Sequence, residues 1–195
     1  LLEFDLTSLK LLHRHPVPVD GQAHVLGSMV LTPTGDIFIA DRYLPLIYRK
    51  VANENKLIPV MVLKDMVSLR GLAIQESGTL LYVADREMGI TVVDMRTGQS
   101  KKLAKPETLN LGGIDGLYIK NNALVMVQNG ISPQRVMLLP LDPSGTKVTG
   151  VVPMAVAQPE FDQPTYGAIL GETLYYFANS HGLNESKPYK PVTVL

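Results

Sequence analysis

Ser77-Gly78-Thr79-Leu80-Leu81-Tyr82-Val83-Ala84-Asp85 is a turn, an alternating apolar strand and a terminal carboxylate, and the chain contains four versions of this phrase. The other versions occupy residues 35–41, 122–129 and 171–179, and each ends on Asp or Asn. Successive terminal residues along the chain are 44, 44 and 50 positions apart. A repeat of this length in strand-rich sequence is typical of a β-propeller, in which each repeat forms one blade.

Each repeat contains several short apolar segments separated by turn residues. The second repeat predicts four strands, at residues 71–74, 80–84, 90–94 and 100–104. The outer two strands recur at residues 47–49 with 57–63 and at residues 136–141 with 147–152. At the start of the chain, residues 2–5 and 11–16 match an outer pair without the inner strands. At its end, residues 191–195 match a third strand. Segments this short, bounded by Gly, Asp and Asn, favour antiparallel hairpins over helices. The sequence therefore predicts one all-β domain over residues 1–195.

Composition excludes several classes of function. Of the 195 residues, 46% are apolar, which is enough for a hydrophobic core. Eighteen basic residues balance eighteen acidic ones, so no electrostatic footprint for nucleic acid is expected. No apolar run approaches the roughly 20 residues that span a bilayer. The chain has no Cys, which excludes disulfides, thiolate metal sites and a Cys nucleophile.

Three segments carry a resemblance to a known family: Gly113-Ile114-Asp115-Gly116-Leu117-Tyr118, residues 127–136 and residues 175–180. In this order, and with the repeats around them, they resemble bacterial proteins of the senescence marker protein/gluconolactonase (regucalcin-like) superfamily. The resemblance implies a six-bladed propeller of four-stranded antiparallel blades. The chain then represents about four blades, and we expect truncation at its amino terminus and slightly at its carboxyl terminus. A self-contained four-bladed ring is the alternative.

One position in each repeat should face the central channel. The residue just before each innermost strand points into one mouth of the channel, and aligning the repeats places Gly27, Arg70, Asp115 and Tyr166 there. Enzymes of the family hold a divalent cation such as Ca²⁺ at this mouth with a Glu, two Asn and an Asp. The resemblance matches Asp115 to the aspartate, whereas Gly27 and Arg70 replace the two asparagines. A guanidinium repels a cation, so the usual metal site is expected to be degenerate.

Arg70 has two interpretations that the sequence leaves open. It pairs with Asp115 across the channel mouth, or it presents its guanidinium to an anionic ligand such as a carboxylate or a sugar acid. Tyr166 belongs to the same mouth and is a further candidate for ligand binding. Asp115 itself also suits a turn, because an Asp before Gly often bonds its own backbone.

Other polar residues have either a functional or a structural interpretation. His24 lies three residues before Gly27 and is the histidine to test as a general base. The terminal Asp and Asn recur in every blade, which favours a turn device over a single catalytic site. Gln128 and Asn129 are the exception, since adjacent amides can bind a polar ligand. His13 and His15 have a spacing that can chelate a metal but are expected on a solvated edge.

These observations support a gluconolactonase-like propeller that binds a small polar or anionic metabolite at its channel. The resemblance implies lactone or ester hydrolysis, which here relies on Asp115 with His24, or with residues upstream of Leu1, because the metal ligands are incomplete. The alternative is a non-enzymatic scaffold that binds a protein or another ligand. The resemblance favours a periplasmic or secreted location over the cytoplasm.

Overall fold

The computed structural model describes residues 1–180 and 191–195, and all the regular structure in these two stretches is β-strand. No helix in this part of the chain could span a membrane. The strands are β1 (Leu2–Phe4), β2 (Leu11–Arg14), β3 (Leu26–Leu31), β4 (Ile37–Asp41), β5 (Leu46–Lys50), β6 (Leu57–Val62), β7 (Leu69–Ile74), β8 (Leu80–Asp85), β9 (Gly89–Asp94), β10 (Ser100–Lys102), β11 (Ile114–Lys120), β12 (Ala123–Gln128), β13 (Arg135–Pro140), β14 (Val152–Val156), β15 (Gly167–Leu170) and β16 (Thr173–Tyr176).

These strands form antiparallel sheets in which neighbours in space are neighbours in sequence. Three sheets have four strands, in the orders β3-β4-β5-β6, β7-β8-β9-β10 and β11-β12-β13-β14. Two hairpins, β1-β2 and β15-β16, precede and follow them. This is the arrangement that the repeat predicts, with one sheet per repeat and a turn residue at each reversal.

The second strand of each four-stranded sheet is buried on both faces, because these sheets pack face to face. In β8, Leu81 and Val83 join a cluster shared with the first four-stranded sheet, whereas Tyr82 and Ala84 join one shared with the third. A strand exposed on one face would alternate apolar and polar residues, whereas β8 is apolar from Leu80 to Ala84. The core therefore lies between successive sheets.

The first strands of the sheets lie side by side, with β7 in contact with both β3 and β11, and β11 in contact with β15. Gly71 allows the closest of these approaches. A Cβ atom on Gly71 would lie 2.5 Å from the Leu117 Cβ and 2.8 Å from the Leu117 backbone nitrogen. A residue without a side chain is thus needed where two blades meet near the axis.

Three of the four inner strands, β3, β7 and β11, carry a register shift at the same place in their repeats. The shifts lie between Leu26 and Met29 in β3, between Leu69 and Leu72 in β7, and between Ile114 and Gly116 in β11. They contain Gly27, Arg70 and Asp115, the residues predicted to face the channel mouth. A β-bulge interrupts the alternation of side chains and aims one of them in a new direction, often beside a functional site.

Two predicted segments differ in outcome. The fourth strand of the third sheet is β14, Val152–Val156, and not residues 147–152. Lys147 bridges Ala104 of the preceding repeat, and Val148 bridges Leu141, so these residues join two blades instead of extending one. The prediction for residues 191–195 is closer, because Val194 bridges Phe177 and Leu195 exchanges backbone hydrogen bonds with Tyr176.

The contact of Gly71 with Leu117 yields a stability prediction. Gly71→Ala should lower the free energy of unfolding by about 2 kcal/mol, because β7 and β11 must separate to admit a methyl group. Gly150→Ala is the matched control, since a Cβ there meets its nearest atom, in Pro140, at 3.7 Å. The control should change stability by less than about 1 kcal/mol. Urea unfolding monitored by tyrosine fluorescence measures both, and equal effects would contradict the close-approach argument.

Candidate functional site

The terminal carboxylates of the strand phrase organise the loops that lead to the inner strands. Asp85 is buried and accepts four backbone hydrogen bonds. Two come from Val67 and Ser68, just before β7, at 2.6 and 2.7 Å, and two from Glu87 and Met88, just after β8, both at 2.9 Å. Burial opposes ionisation of Asp85, yet these donors lower its pKa below the ordinary value of 3.8. The predicted turn device is confirmed here.

Asp41 repeats this arrangement in the preceding blade and adds His24. Its Oδ1 accepts hydrogen bonds from Tyr43 at 2.9 Å and Leu44 at 3.3 Å, and its Oδ2 lies 2.7 Å from the Nδ1 of His24. The Nε2 of His24 lies 2.9 Å from the Oδ1 of Asp20. The bonds to Asp20 and then Asp41 raise the pKa of His24 above its ordinary value of 6.5. With both nitrogens held by carboxylates, His24 has no nitrogen free to accept a substrate proton, which favours a structural role.

Asp115 is the centre of a polar cluster at the channel mouth. It is buried, and its Oδ2 accepts hydrogen bonds from the Thr165 hydroxyl at 2.5 Å and the Asn129 amide at 3.2 Å. Its Oδ1 lies 3.9 Å from the Nη1 of Arg86. The bulge in β11 directs the carboxylate to partners from three different repeats, so Asp115 ties neighbouring blades together at the mouth.

Asn129 and Gln128, predicted together, have different surroundings. Asn129 accepts a hydrogen bond from Arg86 at 3.3 Å and donates to Asp115 and to the Pro164 carbonyl. Gln128 is fully buried, donates to the carbonyls of Asn110 and Gly112, and accepts from Arg135 at 2.7 Å. The structure therefore places Asn129 in the Asp115 cluster and gives Gln128 a structural role, with its amide satisfied by backbone and Arg135.

Two arginines of this mouth were missed in the sequence. Arg86 lies over Gly130, where a Cβ would be 3.2 Å from its Nη2, and Arg42 lies over Gly27, where a Cβ would be 2.6 Å from its Cγ. Each follows a terminal aspartate, in the repeated word Ala-Asp-Arg at residues 40–42 and 84–86. That repetition is the signal that could have identified them. The aspartate of that word has a known turn role, whereas the arginine has none.

Arg70 does not pair with Asp115, because the salt bridge of Asp115 is with Arg86. Arg70 makes no salt bridge within the described residues, and its Nε and Nη1 are buried without a hydrogen-bond partner. A buried guanidinium nitrogen without a partner costs free energy, so such an atom calls for a ligand or a water molecule. The first of the two interpretations is therefore wrong, and the anion-binding one remains.

A pocket of about 420 Å³ opens between the inner strands. Its polar lining comes from Ser28, Arg42, Tyr118 and Tyr166, and Leu72 and Leu117 supply an apolar wall. The Tyr118 oxygen accepts a hydrogen bond from the Gly167 backbone at 2.5 Å, and burial raises the pKa of Tyr118 to about 12. Burial and then Asp115 raise the pKa of Tyr166, so both phenols stay protonated at neutral pH.

The mouth does not fit the divalent cation that the family resemblance implies. Both oxygens of Asp115 face donors, namely Thr165, Asn129 and Arg86. Gly27 has no side chain to offer, and Arg70 contributes a positive charge where a ligand oxygen is needed. A hard cation requires six or more oxygen ligands, several of them anionic, and this set supplies one carboxylate already engaged in hydrogen bonds.

No protein-family model matches the chain, and no curated protein matches it. Solved structures do share its fold. Regucalcin of Agrobacterium tumefaciens, a calcium-binding protein, superposes with a TM-score of 0.69 at 14% identity over 94% of this chain and 63% of its own. Virginiamycin B lyase of Staphylococcus aureus superposes with a TM-score of 0.62 at 17% sequence identity, and the match covers 88% of this chain and 54% of the lyase. A chain of the nidogen/laminin complex superposes with a TM-score of 0.62 at 16% sequence identity, and the match covers 80% of this chain and 73% of that chain.

These similarities establish a propeller-like all-β fold and no more, because every identity is below 20%. The chain spans less than two thirds of the length of regucalcin and of the lyase. Regucalcin is thus among the solved structures that share the fold.

The buried Asp85 yields a prediction of stability and its pH dependence. Asp85→Ala should lower the free energy of unfolding at pH 7 by about 3 kcal/mol, because four backbone donors lose their acceptor. The folded-state pKa is lowered, so this contribution is complete above about pH 5 and is lost as the pH falls through the folded value. The difference from wild type should therefore shrink in acid.

Asp94→Ala is the matched control, because Asp94 caps an exposed turn of the same sheet with bonds from Arg96 and Thr97. It should cost less than about 1 kcal/mol. Urea unfolding at pH 7 and pH 3 measures both variants. A pH-independent loss in Asp85→Ala would show that the carboxylate charge is not what the loops require.

Proposed function

We propose that this chain is part of a gluconolactonase-like propeller that binds a small anionic metabolite, such as a sugar acid, at the mouth of its central channel. The observation that carries the proposal is the pair of buried Arg70 nitrogens without a partner. An anion bound there supplies the missing acceptors, and charge-assisted hydrogen bonds to a guanidinium are among the stronger ones in proteins.

The charges around the mouth favour an anion over a cation. Arg42 lines the pocket, Arg70 lies in the bulge of β7, and Arg86 lies 3.9 Å from the carboxylate of Asp115. Asp41 and Asp85 add no comparable attraction for a cation, because their oxygens are occupied by backbone donors and, in Asp41, by His24. The residual charge is positive, and a partly enclosed site of low dielectric strengthens its attraction for a carboxylate.

The pocket suits a ligand of about six carbons with several hydroxyl groups. Its volume, about 420 Å³, is within the usual range for small-molecule sites. Ser28 and Tyr166 offer hydroxyls for hydrogen bonding, and Arg42 lines the same wall. Tyr118 is less available because it already accepts the Gly167 N–H.

Binding is better supported than hydrolysis. Catalysis was expected to rely on Asp115 with His24, yet Asp115 is held by Thr165 and Asn129, and His24 lies between Asp20 and Asp41. In our proposal Asp115 is a positioning residue that orients Arg86 and Asn129 toward the mouth. Lactone or ester hydrolysis remains the alternative within this proposal.

A non-enzymatic scaffold for a protein partner is supported less. The exposed apolar side chains are distributed over separate elements, among them Phe4 in β1, Val62 in β6, Met154 in β14 and Leu170 in β15. A protein-binding face requires a contiguous apolar patch of several hundred Å². We also infer that the blades belong to a six-bladed ring, a size consistent with the 63% share of regucalcin that this chain covers.

The proposal predicts the effect of removing Arg70. Arg70→Ala should weaken the binding of D-gluconate by about 10- to 100-fold, because a charge-assisted hydrogen bond to a buried donor is lost. The melting temperature should stay close to that of wild type, since the buried Nε and Nη1 have no protein partner to lose. Isothermal titration calorimetry, with neutral D-glucose as the comparison ligand, measures the affinity.

Arg96→Ala is the matched control because Arg96 is an exposed arginine in a turn remote from the inner strands. It should leave gluconate binding unchanged. A large fall in melting temperature without a change in affinity would make Arg70 a structural residue and refute the proposal.

A second prediction separates binding from hydrolysis. A panel of sugar lactones is assayed with and without added Ca²⁺. Any turnover should be the same in wild type and in Asp115→Asn, because the mouth lacks cation ligands and a free base. Turnover that depends on Ca²⁺ and is lost in Asp115→Asn would establish the hydrolase alternative instead.

A further inference from the structure

The first hairpin carries a cluster of metal-ligating side chains remote in sequence from the channel mouth. Glu3 of β1 lies directly opposite His13 of β2 in the strand register. His15 is two residues beyond His13, and because side chains alternate along extended chain, it lies on the same face. One ligand atom from each of the three residues lies within 4.8 Å of the other two.

The separations match those between the ligands of one tetrahedral ion. The Oε2 of Glu3 lies 3.4 Å from the Nδ1 of His13 and 3.1 Å from the Nε2 of His15. Ligands bound at the usual zinc distances in a tetrahedron are about 3.3 Å apart. The imidazoles are tilted by 39° with ring centroids 5.9 Å apart, so the rings are not stacked on each other.

Burial gives the cluster one fixed wall and one open side. His15 is only 1% exposed, whereas the side chains of Glu3 and His13 are 40% and 43% exposed. The expected solvated edge is therefore wrong for His15. The Nδ1 of His15 is buried without a partner, so its other nitrogen, at Glu3, makes the ring's hydrogen bond to a side chain. Burial therefore fixes the ring with its Nε2 directed at Glu3.

We propose that Glu3, His13 and His15 bind a divalent transition-metal ion, of which Zn²⁺ fits best. The ligand atoms are the Oε2 of Glu3, the Nδ1 of His13 and the Nε2 of His15. Two imidazoles and one carboxylate suit zinc and related ions and not calcium or magnesium, which select oxygen ligands. The open side leaves the fourth coordination position to water. The ion would fasten β1 to β2, which form a sheet of only two strands.

Lys50 opposes the ion but does not fill its place. Its Nζ lies 4.0 Å from the Glu3 carboxylate, beyond hydrogen-bond distance. The same ammonium group donates to the Ala52 carbonyl at 3.1 Å, so it has another acceptor when Glu3 turns to a metal. The repulsion lowers the affinity without occupying a ligand atom.

The test is calorimetric titration of the tag-free 195-residue protein with Zn²⁺, followed by the absorption spectrum of the Co²⁺ form. Wild type should bind one ion per chain, and Co²⁺ should give visible bands of tetrahedral intensity. His13→Ala and Glu3→Gln should each weaken binding by at least about 100-fold. Mutation of a residue that only hydrogen-bonds to a metal ligand already lowers metal affinity by about 10- to 100-fold. Both sites are half exposed, so folding should survive, which the melting temperature checks.

Two controls locate the site. Arg14→Ala alters the exposed neighbour of His13 on the opposite face of β2 and should leave the affinity unchanged. Asp115→Asn should also leave it unchanged, so the result stands apart from the proposed anion site. Absence of Zn²⁺ binding in wild type, or equal affinity in wild type and His13→Ala, would overturn the proposal.

Discussion

The bond on which the rest of this structure depends joins a buried carboxylate to the backbone of its own blade. Asp85 holds the residues that enter β7 and those that leave β8, and Asp41 does the same around its own strand. Four charge-assisted bonds to one side chain fix the loops at the channel mouth without any further secondary structure. The strands β3 and β7 begin where these loops end, so the positions of Gly27 and Arg70 depend on this device.

Two constraints then shape the mouth. Glycine at Gly71 and Gly113 lets neighbouring backbones approach, with a Cβ on Gly113 falling 2.8 Å from the Gly130 backbone. Bulges in β3, β7 and β11 fall at Gly27, Arg70 and Asp115 and interrupt the alternation of side chains there. Loops held by hydrogen bonds, closely approaching backbones and bulged strands together shape a pocket lined by Ser28, Arg42 and Tyr166.

The fold was largely predictable because its signals are local. Turn residues and apolar alternation lie within one repeat, and the terminal Asp or Asn marks its period. Strands that pair within a sheet are also neighbours in sequence. The segment at residues 147–152 escaped prediction because Lys147 bridges Ala104 of another repeat, a contact that no local pattern specifies. The site was predicted less well. The column of Gly27, Arg70, Asp115 and Tyr166 was identified, whereas the partners of its members were not.

The sequence by itself determined the all-β class, the four-stranded repeat, the turn role of Asp41 and Asp85, and the place in each blade where chemistry could occur. Only the tertiary structure decided that Asp115 takes Arg86 and not Arg70, that Gln128 is internal, and that Glu3 meets His13 and His15. The physical reason is distance along the chain. Repeated local patterns fix a strand and its turns, but side-chain pairing between blades depends on how the sheets pack and where the bulges fall.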